Sequence, residues 1–466
     1  MAKIKLIANT ESYSIYNGSM LDMLEIIESN SIDSIVCDPP YELNFMGKGW
    51  DRTGIAFQPE TWRKCYEVLK PGGYLLAVGG SRTFHRIACA IEDAGFEIRD
   101  TIMWLYGSGF PKSMNIAKGI EAKLTTGSAN KTQFSELNGQ KLERGNWGIT
   151  KNAKEYGFRK KDYTTETEKK HRLGELEPST ALAKQWQGWG TALKPAYEPI
   201  IVARKPFKGS LVDNVIKYGV GGINIDECRV DFKNEEDIKQ YDFNNNGLSR
   251  MSKDEGEKTG MFEGGWKVVK EIRKTPQGRF PANVILDEEA GKLLDEQSGI
   301  SQSAKVKSAK PAYEGESITK FLRGRSTLNN QYDDCGGASR FFYCAKASQK
   351  DRDEGLEIAA STINETPRKN THPTVKPCEL MQYLVRLVTP KGGIILDPFM
   401  GSGSTGKACM FENRERQADY KFIGIDLEEE YCNIASARID YALNKYKYDY
   451  QQKLKKTKEK GQLSLF

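Results

Sequence analysis

Two short segments carry residue types that could do chemistry, and each follows a short apolar run. The first is Asp38, Pro39, Pro40 and Tyr41, directly after the run Ile32–Cys37. Because two prolines fix φ and remove two N–H donors, nearby carbonyl oxygens are left as acceptors. A carboxylate, a carbonyl and an aromatic ring at one place suit an exocyclic amine, since two oxygens accept its hydrogens and the ring stacks on the base. Taken alone, the segment is also compatible with a strand-ending turn.

The second segment is rich in glycine and follows another apolar run. It places Gly401, Gly403 and Gly406 at the start of a predicted helix, and Asp426 lies 20 residues beyond Gly406. Glycines at such a turn let the backbone approach a ligand, and a carboxylate at a strand end can accept two ribose hydroxyls. This spacing alone also fits a nicotinamide-dependent oxidoreductase. Only about 60 residues follow Gly406, which is too few for the rest of a dinucleotide fold.

The elements around these segments alternate between strand and helix. Such an alternation predicts a parallel, doubly wound α/β sheet, which places chemistry at the carboxyl ends of its strands. The strands are predicted at residues 13–17, 32–37, 74–78, 98–105, 198–203, 394–396 and 422–425. The helices are predicted at residues 20–29, 59–69, 83–94, 378–388 and 429–444.

Two long spans interrupt this alternation. Residues 111–193 form a polar insertion whose basic run, 151–172, holds eight Lys or Arg against four Asp or Glu. Such runs are most often solvated surface, and contact with nucleic acid is the alternative. Residues 206–370 mix Arg with aromatic residues, which favours a separate domain that contacts nucleic acid. The predicted divisions of the chain are 1–205, 206–370, 371–443 and a basic tail at 444–466.

Composition excludes several classes of protein. No apolar run approaches the ~18 residues needed to cross a bilayer, and the first residues lack the apolar core of a signal peptide. Nine scattered cysteines without a CxxC pair indicate reduced thiols, and with only three histidines they support neither a metal site nor a histidine-based triad. We therefore expect a cytoplasmic protein that binds no metal and no membrane.

Together the two segments resemble those of DNA amino-methyltransferases that use S-adenosylmethionine. Residues 38–41 match the (D/N/S)PP(Y/F/W) catalytic motif, residues 399–403 match the FxGxG cofactor motif, and residues 372–377 are similar to the HPTxKP segment. The order of these motifs resembles the β class, and residues 106–113 resemble phage and prophage DNA methylases. The resemblance implies a circularly permuted, doubly wound, Rossmann-like methyltransferase sheet with a target-recognition domain inserted at 206–370.

The resemblance also implies which residues bind the cofactor. Asp426 would hold the ribose, while Thr374 and Lys376 would lie near the carboxylate of S-adenosylmethionine. Where the family often has Gly-Asp this chain has Gly-Ser, so either Ser19 or Asp22 replaces the aspartate or that contact is missing. The expected cofactor-binding residues are Asp397, Phe399, Gly401, Gly403, Asp426, Thr374, Lys376 and Ser19.

The function that the resemblance implies is methyl transfer to the exocyclic N6 of an adenine that has left the duplex stack. Tyr41 would stack on the flipped base, while Asp38 and the carbonyl of Pro39 would accept the two N6 hydrogens. Pro40 completes the expected catalytic set. Cytosine-N4 methylation poses the same geometric problem and stays open, as does a DNA-binding module without activity.

The end of the chain suggests a partner besides double-stranded DNA. The last five residues resemble short peptides of the QLSLF type that bind the bacterial replication sliding clamp. They follow a Lys-rich segment, and an apolar end without a core to join is typical of a peptide anchor. The residues expected to contact the clamp are Gln462, Leu463, Ser464, Leu465 and Phe466.

Overall fold

The computed structural model describes most of the chain in twelve stretches. The described residues are 4–43, 49–109, 113–126, 178–232, 238, 250–253, 266–269, 278–299, 301–302, 335–345, 349–356 and 370–445. Contacts divide the chain into two compact units, one made of residues 1–108 with 197–466 and the other of residues 109–196. The basic run at 151–172 and the peptide at 462–466 lie outside the described residues.

The strands and helices of the described residues are numbered in chain order. The strands are β1 (Lys5–Asn9), β2 (Tyr13–Asn17), β3 (Ile32–Cys37), β4 (Leu69–Val78), β5 (Glu97–Leu105), β6 (Tyr197–Arg204), β7 (Val230–Asp231), β8 (Arg250–Lys253), β9 (Trp266–Val269), β10 (Gly278–Arg279), β11 (Val284–Asp287), β12 (Ser301–Gln302), β13 (Cys335–Gly336), β14 (Tyr343–Ala345), β15 (Ile394–Asp397) and β16 (Lys421–Asp426). The helices are α1 (Met20–Leu24), α2 (Pro59–Val68), α3 (Phe84–Asp93), α4 (Ile116–Thr126), α5 (Ala181–Gln185), α6 (Leu211–Tyr218), α7 (Glu288–Ser298), α8 (Gln349–Asp353), α9 (Cys378–Val388), α10 (Ser404–Arg416) and α11 (429–445).

The larger unit is built on a sheet of ten strands in the order β1-β2-β16-β15-β3-β4-β6-β5-β11-β14. Neighbours from β2 to β4 are parallel, and β5, β11 and β14 are parallel to one another. Only β6, between β4 and β5, and the edge strand β1 run antiparallel to their neighbours. This sheet confirms the predicted α/β class, and it brings β15 beside β3 although the two strands are distant in sequence.

Apolar residues on both faces of the central strands explain why helices cover the sheet. All six residues of β3 are buried, as is typical of a parallel strand with helices on both sides. Every residue of α9 except Glu379 is buried, so this helix packs within the core rather than on its surface. Arg386, one of the polar residues of α9, forms an ion pair inside the protein. Its Nε donates a hydrogen bond to Oε2 of Glu412 on α10 at 3.1 Å.

Two elements differ from their predicted bounds by several residues. Helix α1 ends at Leu24, short of the predicted 29. Strand β4 begins at Leu69 and runs through a Pro-Gly-Gly segment that predicted only the end of a helix. Pairing with the end of β6 explains the longer strand, because Gly72 N donates to Lys205 O and Lys205 N donates to Gly73 O, both at 2.9 Å.

Part of the span 206–370 belongs to the main sheet. Strands β11 and β14 lie within the span 206–370, yet they complete the main sheet by pairing with β5 and with each other. The compact unit that separates from the rest is 109–196. The predicted divisions at 1–205, 206–370 and 371–443, the role of 206–370 in target recognition and the circular permutation stay predictions.

The smaller unit is described over α4, α5 and the residues around them. Thr180 caps the start of α5, since its hydroxyl accepts a hydrogen bond from Ala183 N at 3.3 Å. The same hydroxyl donates to Glu121 of α4 at 2.7 Å, which joins the two helices. None of the helices in the described parts of either unit has the length and apolar content that crossing a bilayer requires.

Candidate active site

The carboxyl ends of three neighbouring strands meet at one edge of the sheet. Asp38 follows β3, Asp397 ends β15, and Gly80 lies just beyond β4. The ring of Tyr41 lies against Gly80, because a β-carbon added there would come 2.9 Å from Cδ2 of the tyrosine. The two segments singled out in the sequence therefore share the edge at which doubly wound sheets place their ligands.

One oxygen of the Asp38 carboxylate accepts a hydrogen bond, and the other, called the open acceptor, has no donor among the described residues. Its Oδ2 atom accepts a hydrogen bond from Nζ of Lys376 at 2.6 Å. Its Oδ1 atom is buried, and no group among the described residues donates to it. A buried carboxylate oxygen without a donor is costly, so the site holds an acceptor that a bound amine would satisfy.

Lys376 lies between two carboxylates. Its Nζ is 2.6 Å from Asp38 Oδ2 and 3.4 Å from Glu198 Oε2, and its side chain is only 7% exposed. Burial acts to lower the pKa of Lys376, but the Asp38 and Glu198 carboxylates outweigh it and raise that pKa above its usual range. The sequence predicts Lys376 near the cofactor carboxylate, which stays a prediction; in the structure its ammonium contacts the Asp38 and Glu198 carboxylates.

Tyr41 is fixed at its hydroxyl as well as at its ring. The hydroxyl donates to Glu198 Oε2 at 2.9 Å, and Lys376 Nζ lies 5.2 Å from the ring centroid. Burial, followed by the charges of Asp38 and Glu198, raises the pKa of Tyr41 well above its usual value, so the ring stays neutral. Sequence reasoning missed Glu198. The sequence feature that could have indicated Glu198 is a carboxylate near the start of a largely apolar strand.

The turn after β15 is built from glycines that no other residue could replace without strain. Gly401 has φ +54° and Gly403 has φ +77°, both in the left-handed region, and α10 begins at the next residue. A β-carbon at Gly401 would come 2.8 Å from Nε2 of His372. The turn therefore packs closely on the segment 372–377, which resembles HPTxKP.

Two carboxylates, the buried Asp397 and the half-buried Asp426, hold the backbone of this turn. Gly401 N donates to Asp426 Oδ2 at 2.8 Å and Glu428 N donates to Asp426 Oδ1 at 2.9 Å, while burial raises the pKa of Asp426 to about 6. Burial also raises the pKa of Asp397 to about 7, although hydrogen bonds from Thr405 and Phe399 lower it. The charges of Asp38 and Asp426 both act on Asp397, which is consistent with a single site formed from both segments.

The remaining predicted cofactor residues lie around the same edge. The half-buried Phe399 ring is 6.1 Å from that of Trp62. Thr374 lies in the segment that Ser404 anchors, because Ser404 Oγ donates to Lys376 O at 2.9 Å. Ser19 precedes α1 and makes no side-chain cap there, and the preceding residue donates its N–H to Asp426 O at 3.0 Å.

His372 belongs to the packing around the glycine turn. Its ring meets that of Tyr431 edge-on at 4.6 Å between centroids. Burial, with the charges of Lys376, Arg352 and Arg438, lowers the pKa of His372 to about 4, so the imidazole is neutral. Within the described stretches, no three His, Cys, Asp or Glu side chains are grouped closely enough to hold a metal ion.

Comparison with known proteins assigns the chain to a family. A family model described as DNA methylase, of the N6/N4 type, matches residues 32–437, so the chain belongs to this family. The chain is 42% identical over 69 residues to the type II methyltransferase M2.DpnII of Streptococcus pneumoniae, covering 15% of this chain and 24% of that protein. It is 38% identical over 93 residues to the DNA adenine methyltransferase YhdJ of Escherichia coli (strain K12), covering 20% and 29%.

The chain spans about a quarter to a third of the length of the first curated relatives that it matches. Among solved structures, it is similar to the cytosine-N4-specific PvuII DNA methyltransferase, with 13% identity, a TM-score of 0.37 and 94% of each chain covered. Membership in the DNA methylase family confirms the resemblance seen in the sequence, and with it S-adenosylmethionine as the methyl donor.

The residues at the strand edge fit S-adenosylmethionine. Gly401 and Gly403 leave the backbone of the turn without side chains, and Phe399 supplies a ring beside it. Each oxygen of Asp426 accepts one backbone N–H, which leaves a second lone pair on each oxygen for a ribose hydroxyl. Asp426 therefore keeps the acceptor capacity that the predicted role in ribose binding requires.

We expect binding of S-adenosylmethionine to weaken as the pH falls below about 6. Protonation of Asp426, whose pKa is raised to about 6, weakens it as an acceptor for the ribose hydroxyls. If one ionised group is required, the dissociation constant rises about tenfold at pH 5 relative to pH 8. Titration calorimetry measures this constant. Asp426→Asn is the control, expected to bind weakly and with little dependence on pH.

Folding stability separates this effect from acid unfolding. The pKa values of Asp397 and Asp426 are raised in the folded state, so below these values the folded protein binds more protons than the unfolded chain. These two groups therefore lower stability as the pH rises from about 4 to 7, and raise it as the pH falls. A binding loss that tracks unfolding across this window would contradict the assignment to Asp426.

Proposed function

We propose that this protein is a site-specific DNA methyltransferase that transfers a methyl group from S-adenosylmethionine to N6 of a flipped adenine. The observation that carries the proposal is the open acceptor Asp38 Oδ1, buried at the strand edge that also holds the Tyr41 ring and the glycine turn. An exocyclic amine brings the hydrogen that this oxygen lacks, and its base brings the face on which a ring stacks.

The chain's own residues position the amine and receive its hydrogens. Asp38 and the carbonyl of Pro39 accept the two N6 hydrogens, which draws the nitrogen lone pair out of conjugation with the base. Asp38 then accepts the proton that the nitrogen must lose. S-adenosylmethionine, when bound, supplies an activated methyl group, so positioning accounts for most of the remaining task.

Adenine is the favoured target and cytosine-N4 is the alternative. Aspartate rather than serine before the two prolines favours adenine, and one relative is named as a DNA adenine methyltransferase. The same acceptor geometry would serve N4 of cytosine, which is the target of the PvuII enzyme.

Modification-aware sequencing tests both the activity and the base. DNA from a methylation-free host that expresses this protein is expected to carry N6-methyladenine at one recurring sequence. N4-methylcytosine at such a sequence would support the alternative. DNA without any modification, from cells that contain the folded protein, would contradict the methyltransferase proposal, and the Asp38→Ala variant provides the inactive control.

A cluster of arginine and phenylalanine side chains supports contact between 206–370 and DNA. Arg279 lies over the rings of Phe232 and Phe341, at 5.1 and 5.2 Å from their centroids. Arg229 lies 5.9 Å from the centroid of Phe280, an exposed ring. Arg279 is buried, whereas the exposed rings of Phe280 and Phe341 are suited to unstacked bases. We therefore keep target recognition in this span as part of the proposal.

Two further expectations stay predictions. One is the cytoplasm of a bacterial or phage-infected cell as the location, which fits the bacterial type II methyltransferases among the relatives. The other is contact of the peptide 462–466 with the replication sliding clamp. Titration of purified clamp against the full chain and against a chain ending at residue 461 tests this contact. Equal binding by the two chains would contradict the prediction.

A further inference from the structure

We propose that Glu198 is a positioning residue for methyl transfer, which holds the Tyr41 ring and keeps Lys376 from occupying the open acceptor of Asp38. This inference rests on the proposed function and adds a residue outside both recognised motifs. Glu198 reaches the site from β6, a strand distant in sequence from the catalytic and cofactor segments.

The reversed direction of β6 explains how Glu198 reaches the site. Parallel strands bring their last residues to the carboxyl edge, whereas an antiparallel strand between them brings its first residues there. Glu198 is the second residue of β6 and pairs with Trp104 near the end of β5. The carbonyl of the next residue, Pro199, accepts a hydrogen bond from Gly79 N at 2.8 Å. Gly79 precedes Gly80, against which the Tyr41 ring lies.

One oxygen of Glu198 makes two different contacts. Oε2 accepts the Tyr41 hydroxyl at 2.9 Å and lies 3.4 Å from Lys376 Nζ. The Glu198 side chain is 21% exposed, so these contacts are more shielded from solvent than a surface ion pair. The Tyr41 ring is the one that would stack on the base. A hydrogen bond to a charged oxygen restrains this ring more firmly than a hydrogen bond to a neutral oxygen would.

The contact with Lys376 determines what remains free on Asp38. The cluster holds two carboxylates and one ammonium, and the ammonium is shared between them. Without the charge of Glu198, the ammonium has Asp38 as its remaining anionic neighbour and is drawn toward both of its oxygens. Oδ1 would then be occupied, and the target amine would have to compete for it.

Three variants and a control test the inference. Glu198→Gln removes the charge while keeping the shape, Tyr41→Phe removes the hydroxyl while keeping the ring, and the double variant tests whether they act together. Glu97→Gln is the matched control on the neighbouring strand, because Glu97 pairs with Arg204 at the other end of β6 (2.7 Å) and is 43% exposed. The readouts are the single-turnover methylation rate, the dissociation constant of S-adenosylmethionine, and the fluorescence of 2-aminopurine placed at the target position.

We expect Glu198→Gln to lower the single-turnover rate about thirtyfold, within the range for loss of a charged hydrogen-bond partner. The dissociation constant of S-adenosylmethionine stays within twofold of the wild-type value, and the 2-aminopurine signal falls. Tyr41→Phe lowers the rate less, and the double variant resembles Glu198→Gln alone, because the hydroxyl acts through Glu198. Glu97→Gln keeps the wild-type rate.

Several outcomes would overturn the inference. They are a Glu198→Gln rate within twofold of wild type, an equal loss of cofactor affinity, or effects of the two substitutions that multiply in the double variant. If Glu198→Gln does not fold, Tyr41→Phe still decides, because a wild-type rate and 2-aminopurine signal would show that the hydroxyl contact has no role. An inactive wild-type protein would contradict the proposed function, whereas an active one with an unaffected Glu198→Gln contradicts only this inference.

Discussion

Replacing Asp38 by alanine is expected to lower methyl transfer by about 10²- to 10⁴-fold, the range for loss of a positioned proton acceptor. The variant loses the open acceptor Oδ1 and the partner of Lys376 together. Asp38 contacts Lys376 in the structure and the target amine in the proposed mechanism, and neither is the cofactor, so the dissociation constant of S-adenosylmethionine is expected to stay within about threefold. Single-turnover assays and titration calorimetry measure the two quantities on the same preparation.

Asp38→Asn separates shape from charge at the same position. The amide oxygen is an acceptor, but it cannot receive the proton that the nitrogen loses. We expect a loss close to that of the alanine variant if proton acceptance dominates, and a smaller loss if orientation of the amine dominates. Turnover of Asp38→Ala at the wild-type rate would rule out the mechanism, and an equal loss of cofactor affinity would move Asp38 into the cofactor site.

The strands and the helix around the two motif segments were predicted correctly, because their signals are local. A buried apolar run ending at Asp38, and a glycine turn opening a helix, can be found without knowing which strands are neighbours. Helix α9 was found with the same bounds, 378–388, since a proline precedes it and a Pro-Lys-Gly-Gly segment follows it. Proline and glycine residues just outside a helix indicate where it begins and ends.

Contacts between strands that are distant in the chain could not be predicted from the sequence. The cluster of Lys376, Asp38 and Glu198 draws on three separate segments, and it depends on β6 lying antiparallel between β4 and β5. No periodicity in the sequence reports strand order. Strands β11 and β14 were missed for a related reason, because runs of four and three residues are too short for alternation to be recognised.

A buried arginine connects the glycine turn to the segment 351–354. Arg438 is fully buried, and its Nη1 donates to Ser402 O at 2.6 Å, while Nη2 donates to Asp351 O at 3.1 Å. A second buried cation, Lys407, lies 2.6 Å from Asp351 Oδ1 and 2.9 Å from Glu354 Oε2. Arg438 therefore gives the turn a second polar contact, in addition to the hydrogen bond between Gly401 N and Asp426.

Arg438→Met is expected to lower the free energy of unfolding by about 3–5 kcal/mol, the cost of breaking a buried charged network by removing one member. The carbonyl of Ser402 also loses its donor, so the turn is no longer fixed and the dissociation constant of S-adenosylmethionine rises more than tenfold. Urea unfolding and calorimetry at a temperature where the variant stays folded measure the two effects.

Arg416→Met is the matched control for Arg438→Met. Arg416 is 43% exposed and pairs with Glu227 at 2.7 Å, so its loss is expected to change stability by about 0–1 kcal/mol and cofactor affinity not at all. If Arg438→Met lowers stability but leaves cofactor affinity at the wild-type value, the arginine supports only the fold. If both change as expected, the position of the glycine turn, and with it cofactor binding, depends on the hydrogen bond from Arg438 to the Ser402 carbonyl.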